Sequence, residues 1–97
     1  MSLTPSAGAR FLLEREQVDA TRATYRAAIY TPEATFTTTA RLDEDGSIEV
    51  EPSGAPDELH DMLVMQARLV ARGAAKRRED GLATWPARLL RWRGPGR

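Results

Sequence analysis

Close to residue 55 the spacing of apolar residues changes from every second position to every third or fourth. Side chains alternate along a strand and recur about every 3.6 residues on a helix, so this chain builds strands first and a helix afterwards. From Thr21 to Tyr30, Thr21, Ala23, Tyr25, Ala27 and Ile29 fall on one side, and Arg22, Thr24, Arg26, Ala28 and Tyr30 on the other. Thr31-Pro32-Glu33 reads as a tight turn with proline at its second position. Alternation resumes over Ala34–Leu42, where Phe36, Thr38, Ala40 and Leu42 oppose Thr35, Thr37, Thr39 and Arg41, a threonine-rich strand composition. Asp45-Gly46 predicts a hairpin, Ile48 and Val50 point inward beyond it, and Pro52-Ser53-Gly54 ends the sheet. Arg10 to Gln17 is open: as a strand it completes a four-stranded meander, as a helix it packs on three strands, and the strand is preferred.

From Pro56 the apolar set is Leu59, Met62, Leu63, Gln66, Leu69, Val70, Gly73 and Ala74, one face of a helix. Pro56 suits the first helical position, Asp57 and Glu58 the first turn, and Lys76, Arg77 and Arg78 the last, with Gly81 to close it. Such a helix is about 35 Å long. A strand of this sheet spans only about 30 Å, so the helix overhangs the sheet or meets a second copy. In Leu82–Arg97, Trp85, Leu89 and Trp92 would share a helical face, whereas Leu90 and Trp92 would share a strand face. The predicted fold class is α+β. An antiparallel β-meander of three to four strands (about 10–51, ββββα in order) packs on one long C-terminal amphipathic helix (about 56–80). A short Arg/Trp-rich segment (82–97) follows, all within a single domain.

Ninety-seven residues suffice for one core and not for two. Chains this small often add disulfides, a metal or oligomerisation to a thin core. Without cysteine the first route is closed, thiolate metal sites are excluded, and association with a second copy becomes an expectation. No run approaches the roughly 18 apolar residues of a membrane span, and no signal-type apolar stretch precedes Glu14, so a cytoplasmic protein without membrane contact is expected. Net charge is zero but sorted: +1 over residues 1–42, −8 over 43–61 and +7 over 62–97. Thirteen arginines against one lysine, with no asparagine, reflect GC-rich codon supply as readily as guanidinium chemistry.

Catalytic, cofactor and metal sites find little support. Aligning Gly46 with the sixth position of a calcium loop puts Asp43 and Asp45 at ligand positions, but Arg41 and Pro52 where carboxylates are needed. His60 has Asp57 and Asp61 near it, fewer ligands than a stable metal site takes. Ser53 lies close to His60 without a third member or an oxyanion loop. No glycine loop suited to phosphate precedes a helix, and the Thr35, Thr37, Thr39 ribbon reads as the wet face of a sheet. A non-enzymatic protein without cofactor is therefore expected.

Two functional readings remain. In the first, Arg88, Arg91, Arg93 and Arg97 contact phosphates, Trp85 or Trp92 stacks on an unpaired base, and Arg22, Arg26 and Arg41 extend the charge over the open sheet face. A four-strand-then-helix order resembles, at the level of topology only, the Whirly-type single-stranded nucleic-acid binding modules, and fold order alone does not carry function. The alternative for Trp85 and Trp92 is that both complete the core, and this is preferred. In the second reading the chain is a protein-interaction module, self-associating as a homodimer through its helix. Antiparallel neighbours would set Asp57, Glu58 and Asp61 against Arg72, Lys76 and Arg77, with Val64, Met65 and Ala71 along the seam. The interaction reading ranks slightly higher.

Overall fold

The computed structural model describes residues 7–19 and 21–93, so Arg97 lies outside the described residues. The fold is α+β. Five strands, β1 (Ala9–Val18), β2 (Arg22–Tyr30), β3 (Thr35–Asp43), β4 (Ile48–Val50) and β5 (Arg88–Arg93), form an antiparallel sheet in the order β4-β3-β2-β1-β5. Helical segments α1 (Asp57–Arg72) and α2 (Ala74–Glu79) connect β4 to β5.

The alternating set facing the helices is buried as its period requires: Ala23, Tyr25, Ala27 and Ile29 on β2, and Ala40 and Leu42 on β3. Residues 10–17 are strand, with a bulge between Arg15 and Gln17. The strand count is corrected from three or four to five, because Arg88–Arg93 pairs antiparallel with β1. Without β5, Phe11 and Leu13 would border solvent along one side of β1. Leu89, opposite Leu13, extends the core there.

α1 buries Leu63, Ala67, Val70 and Ala71 against this sheet. Its contact line is turned from the expected one. Leu69 is 60% exposed, while Ala71 is fully buried and so drops out of the proposed seam. Alanines at 67, 71 and 74 belong to one core cluster with Ala23, Ala27 and Ala40.

The C-terminal helix runs on through Gly73, which keeps right-handed dihedrals (φ −85°, ψ −5°) and the bonds Gly73 N–H to Leu69 O and Arg77 N–H to Gly73 O, with a local irregularity separating α1 from α2. A side chain at 73 would meet Arg77, whose Nη1 lies 2.5 Å from the Cβ position. Arg77 uses that space to tie the helix end to the following loop. Its Nη2 donates to Val70 O at 2.6 Å and its Nε to Thr84 O at 2.8 Å. Gly81, at φ 76°, then reverses the chain, a conformation that glycine adopts without steric cost.

The loop leading to β5 is fixed from the sheet. Trp85 is 3% exposed and belongs to the core, so the core expectation holds for this tryptophan and fails for Trp92. Arg15 Nη1 donates to Trp85 O at 2.7 Å, and the Tyr25 hydroxyl donates to Pro86 O at 2.6 Å. Burial pushes the Tyr25 phenol from its ordinary 10.0 up to about 12, although Arg15 and Arg77 nearby pull the other way. Among the described residues no helix is long and apolar enough to cross a membrane.

Candidate interaction surfaces

The sheet face away from the helices carries Arg22, Arg26, Arg41, Arg88 and Trp92, as alternation requires. Register aligns Trp92, Arg10 and Tyr30 in one row across β5, β1 and β2. The next row holds Leu90, Leu12 and Ala28, and the third Arg88, Glu14 and Arg26. Leu12 and Ala28 are buried although no helix covers them, whereas Trp92 is 59% exposed. Its indole N–H donates to Ala7 O at 3.3 Å, which orients the ring along the end of β1. Arg91, one residue off this phase, lines a groove on the helical side with Gln66, Leu69 and Leu89. Arg93 ends β5 opposite Ala9. The expected arginine surface is thus divided between two faces.

Part of it is also neutralised. Arg41 donates to Glu49 at 2.7 Å and to Glu51 at 2.9 Å, and the hydrogen bonds to Glu51 and Glu49 raise its pKa further. Arg22 lies 3.6 Å from Asp43, and Arg78 pairs with Glu44 in the hairpin turn. The acidic run therefore folds onto part of the basic one within the same chain. Asp45 accepts from the Ser47 hydroxyl and backbone N–H, which hold its carboxyl below the usual range and fix the turn. Arg10, Arg26 and Arg88 form no ion pair among the described residues.

The outward side of α1 carries Met65, 51% exposed, and Leu69 one turn later, with Asp57, Asp61 and Arg72 also exposed. Val64 is half-buried, and Lys76 is engaged with Asp80 at 3.1 Å. At the entry to α1, Ser53 Oγ lies 2.9 Å from His60 Nδ1 and accepts from the Ala55 N–H at 3.2 Å. The hydroxyl thereby joins the loop to the helix, a structural contact that the sequence presents only as proximity. Among the described residues no group of three His, Asp or Glu side chains is arranged to hold a metal.

Sequence reasoning missed the roles of Arg15, Tyr25 and Arg77, whose partners are backbone carbonyls and leave no mark on the sequence. It also left open the strand character of Arg88–Arg93, for which the alternation of Leu90 and Trp92 was the available signal. No protein-family model, curated protein or solved structure matches the chain.

Proposed function

We propose that the protein is a small interaction module that self-associates through the outward side of α1. The observation that carries this reading is the exposed Met65–Leu69 pair, with Asp61 a turn before it and Arg72 after it. Under an antiparallel two-fold the midpoint between Asp61 and Arg72 coincides with that between Val64 and Leu69 and that between Met65 and Arg68. Each acid then meets a base and each apolar residue lies beside the central seam. Lys76 contributes less to such a seam, because Asp80 already engages it.

A 16-residue helix is about 24 Å long. One such face falls short of the ~800 Å² per partner of a standard interface, so the association is weak and concentration-dependent. The test is light scattering across a wide protein concentration range at low salt, with a dimer mass expected at the upper end. A monomer mass throughout would refute the helix-mediated reading.

One observation favours a second reading: Trp92, exposed beside Arg10 and near Arg88, is suited to stacking on an unpaired base. The carboxylates around Arg41 and Arg22 oppose it. Binding to a single-stranded oligonucleotide that weakens steeply with salt, and is lost in Trp92→Ala, would favour it over self-association.

A further inference from the structure

β5 is an outer strand of the sheet, and its backbone fixes what its free edge offers. Arg15 donates its N–H to Ala87 O at 2.9 Å, and Glu14 stands opposite Arg88. In an antiparallel ladder this phase turns the polar groups of Ala87, Leu89 and Arg91 toward β1. Those of Arg88, Leu90 and Trp92 turn outward. Arg91 Nη1 donates to Leu90 O at 3.2 Å, which is compatible with that phase and leaves this carbonyl a second lone pair for an added strand. No described residue pairs with this edge, and the opposite edge of the sheet, β4, is only three residues long.

Beside the edge, on the helical side, a groove of roughly 200 Å³ runs between α1 and β5, with Leu69, Val70 and Leu89 in its walls. On the open face, the same edge is bordered by Arg88 and Trp92, with Arg10 behind them. Arginine and apolar side chains therefore border the edge on both sides, Arg88 with Leu90 and Trp92 on the open face and Arg77 and Arg91 with Leu69 and Leu89 in the groove.

We propose that the outer edge of β5 accepts an extended acidic peptide segment as a sixth strand. Its alternate acidic side chains lie toward Arg88 and Arg10, and its apolar ones enter the groove at Leu69 and Leu89. Main-chain hydrogen bonds to Arg88, Leu90 and Trp92 supply the register, and the pockets on alternate positions supply the selectivity. Antiparallel self-pairing in this phase would set Arg88 of one β5 opposite Trp92 of the other and Arg91 opposite Leu89, so a second copy leaves the arginines without the counter-charge that an acidic segment supplies. The proposal shares Leu69 with the α1 seam but does not rest on it, because its main-chain hydrogen bonds belong to β5.

The probe is a fluorescein-labelled octapeptide alternating glutamate and valine, titrated into the full chain at low salt and followed by anisotropy. Saturable binding is expected, weakening several-fold as salt rises. Amide exchange at Leu90 and Trp92 should slow when the peptide is added. Leu90→Pro removes an outward N–H without touching the β1 ladder, so it should fold as the parent does and bind at least tenfold more weakly. The same peptide N-methylated at alternate positions, in both phases, should lose binding with one phase and keep it with the other. Equal binding by both methylated peptides would overturn the proposal, as would its absence at millimolar peptide. Edge amides that become protected with protein concentration alone would point to a second copy instead. Displacement of the peptide from a Trp92-dependent site by oligothymidylate, without protection of the edge amides, would point to nucleic acid. Either result would also overturn it.

Discussion

Tyr25 combines full burial of its ring with a hydroxyl that reaches Pro86, 61 positions away in the chain. That the ring points inward is legible from the alternation of β2; that its hydroxyl holds a loop is not, because the acceptor is a main-chain carbonyl brought there by the fold. Its phenol is raised above its ordinary value, so the neutral form is the one that folding favours. The resulting stability is complete below pH 10 and is lost as pH rises toward about 12. Tyr25→Phe should lower stability at neutral pH by about 1 kcal/mol, for one hydrogen bond. It should also flatten the alkaline decline that the parent shows in urea denaturation between those pH values. A parent and variant with the same alkaline slope would assign that decline elsewhere. A large aromatic in a small chain usually completes the core, yet one residue of strand phase puts the Trp92 ring on the other face.

At the scale of elements, period and punctuation made β2, β3, the hairpin and the start of the helix legible. The local irregularity at Gly73 was not, because glycine at that position reads equally as a member of the helical face. What decides it is Arg77, whose guanidinium occupies the room a methyl group would take. Gly73→Ala gains about 0.5–1 kcal/mol of helix propensity. It displaces a charged donor from Val70 and Thr84, contacts worth about 1.5–3 kcal/mol. The loss exceeds the gain, so the variant should be destabilised by about 1 kcal/mol in chemical denaturation. In an Arg77→Ala background, where nothing is displaced, the same substitution should become stabilising. A thermodynamic cycle with no sign change would contradict this account. On α1, apolar spacing ranks Leu69 with the core, whereas the buried line runs through Leu63, Ala67, Val70 and Ala71 and leaves it out.

Across the whole molecule, the charge sorting that dominates the sequence has two fates. Part is consumed internally, at Arg41 with Glu49 and Glu51 and at Arg78 with Glu44. What α1 retains, Asp61 before its exposed apolar pair and Arg72 after it, is the part available to another copy. If copies meet antiparallel there, Asp61→Arg or Arg72→Asp alone should shift the light-scattering midpoint to several-fold higher protein concentration. The double variant, which exchanges the charges, should return it toward the parent value. Additive losses in the double variant would reject that geometry. Sequence reasoning could find these residues but not which of their partners lie within the chain, since ion pairing depends on strand register and on where the helix crosses the sheet.

The β1–β5 pairing also sets an order of assembly. β1 through β4 join through short turns, and the helical arm is local, so these parts pay little loop-closure entropy. β5 must find β1 across most of the chain, with Arg15 and Trp85 already 70 positions apart where the two segments begin to meet. That closure raises the contact order and is the step expected to limit the folding rate. Its reversal, with β5 peeling from β1 while the meander persists, is the cheapest partial opening. Native-state exchange should therefore release the β5 amides ahead of those joining β2 and β3.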